Sequence, residues 1–424
     1  MINNLTNIRS QETPVKNFLI DLGEKIVILR SLVDRVAMTM VIVGFDEHVA
    51  SGRRSALTRR ELNLTIFEGK AQDVLWQPRL ETWIRHHKER GTLPERFRGM
   101  DNLEIYDALG CSVRYAASAG IERFEIRDDL VRIEEQHPSH SVSRVRTPMG
   151  EIRTVYRDIW EGDKRVNHRI EAYPVKTVED LRVATDLVSR QQFRANPEAF
   201  HGAANAVGHR AEPALFLSSS GFTELIKNWC GLPGTYYLLH DHPAEVEAHL
   251  EVCDRRDDRL IEEALKLPCR IFNLGDHATN EFTPPPILKK YMLPRWQRMA
   301  DRLHSEGRFV HTHWDGNSTT MLPYLQATRL DGVEALTPAP MGDMTLEEIK
   351  KAVGNTIVVL DLLPTIDFLP YCPLAEVLEF TRRVIDMFAP KLILGISDEI
   401  SQTGQIEKVE AISELVDKIC GLAE

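Results

Sequence analysis

The stretch Arg308–Asn317, RFVHTHWDGN, sets an apolar lead-in against two histidines, a tryptophan and an aspartate, and a Gly-Asn turn closes it. In an extended strand alternate side chains share a face with a repeat of roughly 7 Å, so His311, His313 and Asp315 point the same way. Similar apolar runs recur around it: PALFLSSSG (Pro213–Gly221), RIFNLGDH (Arg270–His277), GVEALTP (Gly332–Pro338), TIVVLDLLP (Thr356–Pro364) and KLILGISDE (Lys391–Glu399). Helical patterns such as HPAEVEAHLEVCDRRDDRLIEEALK and LAEVLEFTRRVIDMF separate them. Continuous apolar runs alternating with helices are the mark of buried parallel strands in β/α units. No GxGxxG follows any run, which weakens a dinucleotide-binding sheet. The expected fold is therefore α/β, a (β/α)8 TIM barrel.

In such barrels the chemistry sits at the C-terminal ends of the strands. Here those ends carry Ser218–Ser220, Asp276-His277, His311/His313/Asp315, Glu334, Asp361 and Asp398-Glu399. Polar residues that cap the following helices account for part of this set. His313 and Asp315 are candidate metal ligands, with Asp398, or Glu399 beside it, as the third; imidazole and carboxylate both suit zinc. The alternative is that both strand histidines are satisfied internally and Asp315 opens a turn. Asp276 and His277 are candidates for a general acid/base or substrate-orienting pair, since imidazole titrates near neutrality. Adjacent strand residues face opposite sides, so both reach the mouth only where the strand has ended. Glu334 and Asp361 lie within apolar runs and point inward; each needs a cation or hydrogen bonds there, so a structural ion pair stands beside a catalytic or substrate-binding role. Trp314 offers a flat wall for an aromatic ring, or else belongs to the core.

Elsewhere, Val15, Leu19, Leu22, Ile26, Leu29, Val33, Val36 and Met40 alternate steps of four and three. That is one apolar seam of a helical N-terminal extension, residues 1–57, which packs on the protein's own body or pairs with a second subunit as a homodimer. The barrel unit is expected over 58–424. Between about 110 and 175 alternating stretches flank TPMGE (Thr147–Glu151), which predicts a β-hairpin excursion over or beside the barrel mouth. Of the 424 residues, 52 are Lys or Arg and 63 Asp or Glu, a net charge of −11 with no long basic stripe, which argues against nucleic acid as partner. The longest apolar run, Val36–Phe45, has ten residues, whereas a membrane span needs about 20. Six cysteines without a CxxC pair, and no signal-peptide layout at the N-terminus, place the chain in a reducing cytoplasm. There is no GxSxG elbow, P-loop or HExxH. DRLHSEG (Asp301–Gly307) misses the cobalamin-ligating DxHxxG pattern by one residue and lies on a helix.

From Thr58 onward the chain resembles the uroporphyrinogen decarboxylase superfamily. The resemblance runs through LTRRELNLTIFEGKAQDVLWQP, TPMGE, EAYPVKTVEDL, FTELIKNWCGLPGTYYLLHDHPAEVEAHLE and TPPPILKKYMLPRWQRMADRLHSEGRFVHTHWDGN, in the superfamily's usual order. It implies a TIM barrel and leaves two reactions. True porphyrinogen decarboxylases carry an RQAGR-like motif that binds substrate carboxylates; here QPRLETWIRHHKERG (Gln77–Gly91) retains only Arg79. Cobalamin-dependent methyltransferases of the superfamily bind zinc through a His-x-Cys-Gly strand end and a later Cys. HWDG matches the first element with His313 in place and Asp315 for Cys, and the later position falls at Ser397 or Asp398 in GISDE. Oxygen ligands thus replace thiolates, which turns the expectation from thiol activation toward a Lewis acid on an ether oxygen or acid catalysis by carboxyl groups. The resemblance implies an O-demethylase-type methyltransferase that moves a methyl group from a small methylated substrate, an aryl methyl ether first, to the cobalamin of a separate corrinoid protein. Asp276, His277 and Glu334 would be catalytic, and Trp314, His311 and Asp361 would contact the substrate. Decarboxylation of a porphyrinogen-like polyacid is the alternative enzyme, and a non-catalytic ligand-binding barrel the alternative class.

Overall fold

The structure is a computed structural model that describes residues 57–115, 117–161 and 164–421. The apolar seam expected between Val15 and Met40 lies outside the described residues, as does the rest of the expected extension up to residue 56. The strands, in chain order, are β1 (Leu75–Trp76), β2 (Ile121–Glu125), β3 (Val131–Gln136), β4 (His140–Thr147), β5 (Gly150–Glu161), β6 (Lys164–Ala172) and β7 (Gln191–Ala195). Then follow β8 (Ala214–Phe216), β9 (Ile271–Ala278), β10 (Phe309–Trp314), β11 (Gly332–Glu334), β12 (Val358–Pro364) and β13 (Leu392–Ser397).

Seven strands form one parallel sheet in the order β1-β13-β12-β11-β10-β9-β8. All six apolar runs of the sequence are strands of it. The gap between its edges is spanned by Cys111–Ala117, which makes no regular ladder. Ser112 N–H donates to Trp76 O (2.9 Å), Gln77 Nε2 to Val113 O (2.7 Å) and Ala117 N–H to Ala214 O (3.3 Å). This segment is the eighth stave, and the barrel closes through it. The helix Arg59–Phe67, started by a Thr58/Glu61 capping box, packs Leu62, Ile66 and Phe67 against Leu75, Ala214, Ile271, Val358 and Ile393. Those residues lie at the N-terminal ends of their strands, so the helix stoppers the end opposite the mouth.

The outer helices follow their sequence signals. Capping boxes open the helices at Asp101, Thr177 and Thr345. Helix Leu293–His304 buries Trp296, Met299, Ala300 and Leu303, the spacing of one face. No helix among the described residues is long and apolar enough to cross a membrane. The expected hairpin, β4 and β5 with its turn at Pro148-Met149, forms the centre of a four-stranded antiparallel sheet, β3-β4-β5-β6. Its Val145 and Ile152 pack on Val183 and Leu187 of helix Val178–Ser189, so the sheet rests on an outer helix, and none of its residues lines the mouth cavity.

Candidate active site

At the C-terminal ends of the strands a cavity of about 630 Å³ opens, lined among others by Tyr115, Phe216, His277, His313, Glu334 and Asp398. How His277 reaches it is set by an irregularity in β9. His311 pairs with Asn273, and His313 with His277, so one residue of β10 faces three of β9 between those pairs. The bulge passes through Gly275 at φ +70°, where a Cβ would lie 2.4 Å from Leu217 O; only glycine fits. It turns the Asp276 carboxylate toward an outer helix at the cavity's edge and His277 into the cavity. Asp276 accepts from Ser220 N–H (2.7 Å), Arg295 Nη1 (2.9 Å) and Trp296 Nε1 (2.7 Å), the last two on an outer helix. Its carboxylate is therefore committed to anchoring the bulge, and the acid/base pairing expected of Asp276 with His277 is corrected to a positioning role.

Glu334, 1% exposed, is the hub. Its Oε1 accepts from His313 Nδ1 (3.0 Å) and Asn273 Nδ2 (2.9 Å), and its Oε2 from Tyr115 OH and Arg114 Nη1 (3.3 Å). Arg114 also grips Asp361 with both terminal nitrogens, at 2.8 and 3.0 Å. A carboxylate acceptor fixes the proton on His313 Nδ1 and leaves Nε2 as the free nitrogen. Burial raises Glu334, but the His313 hydrogen bond and the charges of His311, His313 and Arg114 hold it well below the usual carboxylate range. Burial pushes Asp361 up to about 6 against the pull of Arg114. Asp361 is thus an ion-pair partner beneath the cavity rather than a substrate contact. Tyr115, Ala335 and Asp361 all have positive φ (57°, 63° and 84°), strain of about 1 to 3 kcal/mol each, gathered at this one hub.

The two mouth histidines stack at 5.1 Å between ring centroids and are pushed apart electrostatically. For His313 burial opposes the charge, yet the hydrogen bond and charge of Glu334, with Asp398 and Asp315, raise it above the ordinary imidazole value. Burial and then the neighbouring His313 lower His277. His311 sits below them, 1% exposed, within 3.6 Å of Glu334 and held down to about 4 by burial; it is walled in rather than facing substrate.

Ligand atoms of His277, His313 and Asp315 lie within 4.8 Å of one another, the one such group among the described residues. Two imidazoles and a carboxylate are a catalytic zinc donor set, and Glu334 behind His313 is the usual carboxylate backing for a metal-bound histidine. The residues therefore fit a divalent metal. The expected triad is changed in one member: Asp398 is bound by Arg79, which also holds Glu399 at 2.7 Å, and His277 takes its place. Trp314 does not face the cavity. It is fully buried against Trp296, with ring centroids 5.8 Å apart, so the aromatic wall expected of it is corrected to a core role. Phe216, 42% exposed at the end of β8, supplies that wall instead.

Sequence reading missed Arg114, Tyr115 and Asn273, as well as Arg123 and Lys227 on the cavity wall. Asn273 lies two residues before the Gly275 bulge, where an inward polar residue in an apolar run was a usable signal. Arg114 and Tyr115 lie on a stave with no strand pattern at all.

No protein-family model matches the chain, and no curated protein matches it. Among solved structures, a methyltransferase from Methanosarcina mazei superposes with a TM-score of 0.51 at 11% identity, over 86% of this chain and 99% of that one. A B12-independent methionine synthase from Shewanella sp. W3-18-1, in complex with selenomethionine, gives 0.41 at 11% identity, over 75% of this chain and 86% of that one. The likeness is one of fold.

Proposed function

We propose that the barrel is a methyltransferase that takes a methyl group from a small methylated substrate, an aryl methyl ether, and passes it to a corrinoid protein. The observation that carries the reading is the convergence of His277, His313 and Asp315, with Glu334 behind His313, at one side of a cavity walled by Phe216. Breaking an aryl ether's methyl–oxygen bond leaves a phenolate, a poor leaving group unless its oxygen is protonated or coordinated as the bond breaks. His277, His313 and Asp315 would hold zinc, which when bound supplies a Lewis acid for that oxygen. Glu334 keeps the free nitrogen of His313 in one orientation, and Asn273, Tyr115 and Arg114 keep Glu334 in place. Phe216 packs the ring and excludes water from its face. The fold shared with the M. mazei methyltransferase agrees with this reaction class.

Decarboxylation of a polyacid needs several free cations at the mouth. Arg79 is committed to Asp398 and Glu399, which leaves Arg123 and Lys227 on the cavity wall, too few for a polyacid. A purely ligand-binding barrel has no use for the strain gathered around Glu334.

The test is incubation with reduced cobalamin and a panel of methoxy-aromatics, methylamines, methanol and methyl thiols, following methylcobalamin by absorbance. Turnover of an aryl ether, lost in Asp315→Ala, is expected. No methylation anywhere, with decarboxylation of uroporphyrinogen instead, would replace this reading.

A further inference from the structure

We propose that the cavity selects a substrate bearing a carboxylate, which Arg123 and Lys227 bind; the identity of the group that reacts rests on the methyl-transfer reading. Three cations line the cavity, Arg79, Arg123 and Lys227, together with three carboxylates, Asp276, Glu334 and Asp398. Each of those carboxylates is already ion-paired, to a cation that it shares with a second carboxylate: Asp276 to Arg295, Glu334 to Arg114 and Asp398 to Arg79. Arg79 is used up in the same way. Arg123 and Lys227 have no ion pair or hydrogen bond to any carboxylate among the described residues. The acids that act electrostatically on Arg123, Glu224 and Asp257, are bonded to Arg256 at 2.6 and 2.7 Å. The cavity wall therefore carries two cations that make no direct ion pair among the described residues.

Both residues are exposed, and both line the cavity. Arg123 comes from β2, outside the barrel, and lies over the Phe193 ring at 5.9 Å. Burial, and then Arg256, lower its basicity, the condition that an anion on the wall relieves. Lys227 sits in a π-helical turn, Leu225–Trp229, a distortion that frequently marks functional positions. Phe216, set edge-on to Tyr115 at 5.5 Å, gives the same cavity a flat apolar surface. A planar ring that bears both a methyl ether and a carboxylate satisfies the wall, the cations and the histidine cluster together. Two cations suit one anionic group and fall short of a polyacid.

The experiment is calorimetric titration of the full chain with 4-methoxybenzoate and with neutral 4-methoxybenzyl alcohol. The benzoate should bind at least about tenfold tighter, the scale of one charge-assisted hydrogen bond, and the difference should shrink as salt is raised. Arg123→Gln and Lys227→Gln should each cost about tenfold for the benzoate and leave the alcohol unchanged, while Lys227→Arg keeps the preference. Both side chains are on the surface, and circular dichroism of each variant checks that the fold is kept. Equal affinity for the two ligands, a preference that survives in the double variant, or no benzoate binding at millimolar concentration would overturn the proposal. Carboxylate-selective binding without methylcobalamin formation would uphold the anion site and remove methyl transfer. Methyl transfer from neutral ethers with no such preference would do the reverse.

Discussion

Replacing Glu334 by glutamine exchanges one oxygen for an NH2 group and tests the whole hub. The carboxylate now accepts four hydrogen bonds, two at each oxygen, and is the partner of His313 and one of two carboxylate partners of Arg114. A glutamine must turn its NH2 toward one of those pairs of donors. Turned toward Tyr115, it can donate to the phenol oxygen once the hydroxyl rotates, but it faces Arg114 with like polarity. Turned toward His313, it forces the imidazole to carry its proton on Nε2, the nitrogen a metal needs. Breaking a buried pair outright costs about 3 to 5 kcal/mol, and Arg114 keeps Asp361, so the loss should be at the low end, about 3 kcal/mol. Urea unfolding should show the midpoint reduced at unchanged slope. Zinc affinity should fall by roughly 10- to 100-fold, as for other losses of a ligand's carboxylate backing. In the zinc-free protein His313 should titrate below the ordinary imidazole value, because burial then acts without its compensating anion; NMR reads this directly. A stability loss under about 1 kcal/mol with unchanged His313 titration would refute the hub.

Three further outcomes are expected. His277→Ala and His313→Ala should abolish zinc binding in metal analysis of protein purified without chelator, whereas Asp398→Asn should leave it intact; dependence on Asp398 would restore the triad read from the sequence. Stability should fall as pH drops from about 6.5 to about 4, because His249 and His311 are held near 4, chiefly by burial. An unfolded imidazole protonates near 6.5 and the folded ones do not, so the unfolded chain binds the extra protons, worth roughly 3 kcal/mol per histidine. His249→Gln should flatten that slope in urea titrations across the range, and an unaltered slope counts against the assignment. Gly275→Ala should cost about 3 kcal/mol, from the left-handed backbone and the clash with Leu217 O, and weaken zinc binding by shifting His277. Thermal melts and metal titration of that variant check both parts.

The six apolar runs were legible because parallel strands buried on both faces need continuous hydrophobic sequence, and their polar ends marked the mouth. His277, His313 and Asp315 could be named, but not as a set. Which of Asp276 and His277 faces inward depends on a bulge of two extra residues, and a strand's period of two does not survive a bulge. Trp314 shows the same limit: at a strand's last residue, nothing local says whether an aromatic side chain meets substrate or an outer helix. Arg114 and Tyr115 were invisible for another reason. Their stave pairs too irregularly to need an alternating or apolar pattern, so no periodicity announces it. Asp398 reaches the mouth as expected, but its pairing with Arg79, 319 positions away in the chain, could not be read locally.

The irregular stave has a consequence for how the protein is made. The salt links that lock it, Arg114 to Asp361 and Glu334, join positions 247 and 220 residues apart. A ribosome therefore releases Arg114 and Tyr115 long before any carboxylate exists to receive them. Until β11 and β12 emerge, these side chains lack their carboxylate partners, though Gln77 is already there for Arg114, and the first staves remain an unclosed edge. Barrel closure and the fixing of His313 are then one late event rather than two. A nascent chain interrupted before Glu334 would hold much of the barrel's hydrophobic mass without the carboxylate that locks its site.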